Sequence, residues 1–149
     1  MPDEAGSSER GKSTTSGVGR VLVAIYAVFA VGATSRAAVQ ISTKFDEAPL
    51  AYVLSALAAV VYIVATVSIA RSGETARRTA IAACSTELIG VLVIGTVSLV
   101  RPDDFPDATV WSVFGRGYLF IPLVLPVLGL WWLVRRGAAA GGPPGQPSS

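Results

Sequence analysis

The chain contains no histidine and a single cysteine, Cys84. The first absence removes the commonest general base, the commonest transition-metal ligand and the usual sensor of neutral pH. The second excludes a disulfide within the chain and any thiolate metal cluster. Charge is scarce too: 15% of the 149 residues are Asp, Glu, Lys or Arg, where a soluble domain carries about a quarter. No cofactor fingerprint and no catalytic motif is present, so the expectation is a non-enzymatic protein that needs no cofactor or metal.

What the chain does have is apolar surface. Hydrophobic residues make up 52% of it, and its mean hydropathy is +0.58. The net charge of +2 and a pI near 9.0 would suit nucleic acid. The basic residues, however, sit in short segments beside apolar blocks rather than in a stripe with interleaved aromatics, which excludes nucleic acid as a partner.

The apolar residues gather into four blocks. A bilayer core about 30 Å thick needs about 20 residues of helix, and spans are expected over residues 21–41, 50–70, 79–100 and 118–134. Lone strands cannot cross lipid, because their backbone groups would go unpaired, and the alternating segments of a barrel are missing. The fold class expected is all-α: a polytopic bundle of four transmembrane helices over residues 20–136, with the lipid bilayer as its first partner.

Lys and Arg in short loops set the orientation. With the N-terminus inside, the inner segments hold Arg10, Lys12, Arg20, Arg71, Arg77, Arg78, Arg135 and Arg136, and the outer loops hold Lys44, Arg101 and Arg116. Eight against three predicts that both chain ends lie in the cytoplasm. A cleaved signal peptide is the alternative for the first block. That block is long for one, and Arg36 follows closely on any small-residue cleavage site near Ala33 to Ser35, so it reads as an uncleaved span.

Residues 1–19 and 137–149 are rich in Gly, Ser, Thr or Pro and are expected to be disordered cytoplasmic tails. The outer segment 101–117 reads RPDDFPDATVWSVFGRG. Asp107 can cap a short helix starting at Ala108, which would lay Val110, Trp111, Val113 and Phe114 on the membrane surface. Trp131 and Trp132, followed by Arg135 and Arg136, read as anchors at the inner interface.

Two charges lie inside spans, where a charge is costly and normally faces protein or water. Arg36 is roughly 8 Å below the outer end of the first span at 1.5 Å per residue, and its long side chain can snorkel outward. Gln40 shares its helix face. Glu87 is deeper and too short to reach water; its face carries Ala80, Ala83, Cys84 and Gly90, small residues suited to a close neighbour. A protonated Glu87 can donate a hydrogen bond across helices, which is the structural reading; a transport or relay role is the functional one. In the second span Tyr52, Ser55, Ala59, Tyr62 and Thr66 form a polar stripe on one helix face. Arg36 and Glu87 differ by about 12 Å in depth, so a chain through Ser55 and Tyr62 is expected in place of a direct ion pair. Pro122 and Pro126 share a face of the fourth span and are expected to kink it.

The stretches KFDEAPLAYVLSALAAVVY, FPDATVW and GYLFIPLVLPVLGLWWL resemble uncharacterised small four-span integral membrane proteins of actinobacteria. The resemblance runs over residues 21–136, most of the chain, and implies a membrane location, which for such a bacterium is the inner (cytoplasmic) membrane, with no activity attached. Three functional classes remain. One is a subunit or scaffold of a membrane complex, working with a membrane-protein partner or as a homo-oligomer. Another is a small transporter or proton-coupled carrier built on Glu87. The last is a lipid-acting enzyme that would hold Mg²⁺ or Ca²⁺ on Asp103, Asp104 and Asp107; the run RPDDFPD lacks the usual lipid-phosphate motifs.

Overall fold

Backbone amides in hydrocarbon have no water to bond, so each apolar block closes its own hydrogen bonds as a helix. A computed structural model describes residues 2–105 and 108–141, with side chains described over 17–105 and 108–137. Four helices follow in chain order: α1 (Pro2–Lys44), α2 (Pro49–Ala70), α3 (Glu74–Val100) and α4 (Ile121–Gly141). The stretch Gly17–Glu47, α2 and α3 are each long and apolar enough to cross a bilayer. A fourth crossing is made if α4 is counted with the short helical segment Ser112–Tyr118, to which it is joined through a 99° bend. The protein is therefore an integral membrane protein, an all-helical, multi-span bundle.

Punctuation in the sequence explains most boundaries. Pro49 opens α2 at a position where its missing amide costs nothing. Gly73, at φ 109, turns the chain between α2 and α3. The helix α3 starts before the apolar block because Glu74 offers its carboxylate to Arg77 and Arg78 at 3.4 and 3.2 Å, one turn on. At the N-terminus the α1 backbone runs on to Pro2, through the segment whose composition suggested a disordered tail. A helix once nucleated can propagate through polar sequence. The tail expected at the other end falls beyond the described residues from 142 onward.

The entry to the last helix departs from expectation. A helix was expected from Tyr118, but α4 begins at Ile121. Leu119 and Phe120 have φ of 57° and 60°, a left-handed conformation that ends the preceding turn. There the Phe120 amide donates to the Gly115 carbonyl at 3.0 Å. Pro122 is thus the second residue of α4. Its missing amide breaks no helical bond, and it does not act as a mid-helix kink. Pro126 lies inside α4.

Each helix packs on the next in sequence, as short loops require. The ring closes where α4 meets α1: a Cβ placed on Gly19 would touch the Trp132 ring at 2.9 Å. Inside lie small residues, Ala58, Ala65, Ala80 and Cys84, all fully buried, which let backbones approach closely. Outside lie Val28, Val31 and Ile89, each more than 60% exposed to the surroundings, as a lipid-facing surface should be.

Candidate intramembrane polar site

Glu87 has no solvent exposure. It sits on the buried stripe of α3 between Cys84 and Val91, where helical spacing aims every third or fourth residue at the bundle axis. The Tyr26 hydroxyl of α1 donates to Glu87 Oε2 at 2.8 Å and lies 3.4 Å from Cys84 Sγ. From α2, Tyr62 stands between Glu87 and Trp111. A Cβ on Gly129 of α4 would be 3.1 Å from Cys84 Sγ and 3.5 Å from the Tyr26 hydroxyl. Side chains of α1 and α2 therefore meet the carboxyl of α3, and α4 packs against the Tyr26 and Cys84 side chains beside it.

Three polar atoms there complete no hydrogen bond among the described residues: Glu87 Oε1, the Tyr62 hydroxyl and Trp111 Nε1. Their chemistry is nevertheless complementary. Indole N–H only donates, a carboxylate only accepts and a phenol does both. Tyr62 lies against both Trp111 and Glu87, so a phenol capable of both roles stands between a donor and an acceptor.

Trp111 is the residue whose expected position is overturned. It was expected on the membrane surface, yet it is 2% exposed and packs across Gly90, where an added Cβ would come within 2.8 Å of its ring. The segment is drawn inward by backbone amides that find side-chain acceptors. The Val113 amide donates to Ser98 Oγ on α3 at 2.8 Å, the Thr109 amide to Ser112 Oγ at 2.8 Å, and the Trp111 amide to Thr109 Oγ1 at 3.2 Å. In place of the short helix expected from Ala108, a turn leads into the 3-10 segment Ser112–Tyr118. The cap proposed for Asp107 lies outside the described residues. A sequence signal did exist: Gly90 and Gly95 leave a smooth strip on α3, and Phe114 fills the space over Gly95.

Arg36 belongs to a different cluster. Its guanidinium donates to the Tyr118 hydroxyl at 3.0 Å and to the Ala108 carbonyl. The expected chain from Arg36 through Ser55 to Glu87 is not formed, because Ser55 Oγ donates within its own helix to the Ala51 carbonyl at 2.9 Å. Aromatic rings join the two clusters instead. Tyr118 contacts Phe29 with centroids 5.7 Å apart, Phe29 contacts Tyr62 at 5.6 Å, and Tyr62 contacts Tyr26 at 6.2 Å. Tyr52 is buried with Ala48 and Ala51 in a separate cluster backed by Phe105. Gln40 is half-buried and its Oε1 makes no hydrogen bond among the described residues.

At the opposite end, Arg135 lies over the Trp131 ring at 4.7 Å and Arg136 over Trp132 at 5.1 Å, both cation–π contacts. Trp131 is half exposed, in keeping with an anchor. Trp132 is buried against Gly19, so it closes the bundle where an interfacial anchor was expected. Among the described residues no group of His, Cys, Asp and Glu could hold a metal ion. Comparison of the chain with protein-family models, with curated proteins and with solved structures finds no match.

Proposed function

We propose that the protein is a non-enzymatic subunit or scaffold of a membrane complex, a four-span bundle in a bacterial inner membrane with both ends cytoplasmic. Counting the bent segment 112–137 as the fourth span gives an even number of crossings, and the excess of Lys and Arg beside the ends and the α2–α3 turn supports the orientation. The resemblance to actinobacterial four-span proteins supports a bacterial membrane.

The observation that carries this reading is the complete enclosure of Glu87. The one carboxyl deep in the bundle is bonded by Tyr26 and covered by α2, α4 and the Trp111 segment. It fastens helices together, and none of its surface is exposed. The test is purification of the tagged protein from its native membrane in mild detergent, with mass spectrometry of co-purifying proteins. The reading expects a stoichiometric membrane-protein partner or a defined homo-oligomer, retained in Glu87→Gln. A lone monomer would overturn it.

One observation favours a second reading, a small proton-coupled carrier. A buried carboxyl with one oxygen unbonded, beside two further polar atoms that also complete no hydrogen bond among the described residues, is unusual in a purely structural knot. That reading expects proton flux in proteoliposomes, abolished by Glu87→Gln in a protein that still folds.

A further inference from the structure

Arg36 is a fixed positive charge within a span, and among the described residues no carboxylate answers it. The three ion pairs found there join Arg77 and Arg78 to Glu74 and Arg101 to Asp104. The two groups that Arg36 meets, a phenol and a carbonyl, orient the guanidinium without neutralising it. Among the described residues its remaining N–H donors meet no further acceptor, and they form a planar fork that matches a phosphate.

Beside it lies a cavity of about 170 Å³, lined by Phe29, Gly32, Arg36, Ser55, Val110 and Tyr118 among others. Drug-sized molecules need pockets of about 300 Å³ or more, so a whole small molecule does not fit. A segment of acyl chain does. The lining is apolar apart from Ser55, whose hydroxyl is bonded within its own helix, and the end marked by Arg36 and Tyr118; Gly32 is exposed with open space where its side chain would be. The cavity therefore opens sideways, toward lipid.

We propose that this cavity is a binding site for one anionic phospholipid: its acyl chain lies over Phe29 and Gly32, and its phosphate bonds the remaining donors of Arg36. The charge complementarity selects the occupant. A zwitterionic lipid brings its own cation to the phosphate, whereas an anionic headgroup supplies the negative charge that no carboxylate among the described residues gives Arg36. Tyr118 and the Ala108 carbonyl hold the guanidinium ready, so little ordering cost falls on binding. This site is independent of the scaffold reading, since it requires no protein partner.

The test is native mass spectrometry of the full chain, delipidated in mild detergent and offered phosphatidylglycerol or phosphatidylcholine with identical chains. The native protein is expected to retain more phosphatidylglycerol, and Arg36→Gln to retain one phosphatidylglycerol fewer. Equal retention of the two lipids, or an unchanged count in Arg36→Gln, would overturn the proposal. Protection of the Cys84 thiol from maleimide reports whether each variant is folded. Should Arg36→Gln fail that check, Gly32→Leu decides. It keeps the charge and projects into open space, and it is expected to lose the same single lipid by filling the cavity. Undiminished retention there would sink the idea.

Discussion

Tyr26 on α1 and Glu87 on α3 are bonded hydroxyl to carboxyl at 2.8 Å, 61 residues apart in sequence and both without solvent exposure. Neither has a lipid-facing alternative that would leave its polar atom satisfied, so the bond fixes the rotation of both helices about their axes. In the membrane such bonds are worth about 0.6 kcal/mol on average and up to about 1.7, because the separated helices also find partners. The enclosure here argues for the upper part of that range.

A double-mutant cycle measures it. Tyr26→Phe and Glu87→Gln are each expected to destabilise the bundle, and the pair to show a coupling of about 1.5 kcal/mol in reversible unfolding from mixed detergent. Strictly additive effects would mean that the two groups do not interact.

The helix glycines are expected to divide by what surrounds them. An alanine Cβ at Gly95 would run into Phe114, including its backbone nitrogen at 2.8 Å. A main-chain atom cannot rotate away, so Gly95→Ala should cost about 1–3 kcal/mol, the range for overpacking. At Gly32 the Cβ meets nothing within 4 Å, and Gly32→Ala should be neutral or stabilising by up to about 1 kcal/mol through helix propensity. Thermal unfolding of the two variants side by side checks the order; Gly32→Ala as the more damaging change would contradict the packing described.

The first three spans were legible because lipid simplifies the problem: where water is absent, apolar length alone selects helix. Residues 50–70 were expected as a span, and α2 runs Pro49–Ala70. The site was only partly legible. Glu87 drew notice by its depth, but its partner Tyr26 looks like any aromatic residue in an apolar run. Trp111 was assigned to the interface because indole suits an interface as well as a core; Gly90 and Gly95 decide between them, and those two glycines are a signal only to a reader who knows that α3 faces the loop. The break before α4 was hidden because Val113, Phe114, Leu119 and Phe120 carry positive φ, a conformation their side chains do not advertise.

The Trp111 segment covers the Glu87 cluster, and the lone thiol in the chain can report on that cover. Cys84 is buried, so maleimide should reach it only through transient opening. Trp111→Ala removes the ring over Gly90 and is expected to speed labelling by about ten-fold or more, which corresponds to at least about 1.4 kcal/mol of lost protection. Trp131→Ala, a change at a half-exposed ring, should leave the rate near that of the parent. Equal rates for both variants would show that the segment is not the cover over this site.

The orientation and the number of crossings can be read in one experiment. In a Cys84→Ser background, single thiols are introduced by Asp46→Cys, Thr75→Cys, Asp103→Cys and Ala138→Cys and challenged with a membrane-impermeant reagent on intact cells. The first and third should label directly, the second and fourth only after the membrane is opened. The distribution of basic residues argues for this pattern. The decisive comparison is between positions 103 and 138. The 3-10 segment Ser112–Tyr118 and α4 are bent by 99°, so they could form either one broken crossing or a re-entrant loop. A broken crossing puts 103 and 138 on opposite sides. Labelling of both from outside would reduce the bundle to three crossings and move the C-terminus out of the cytoplasm, leaving Trp131 and Arg135 to anchor the same face as Arg101.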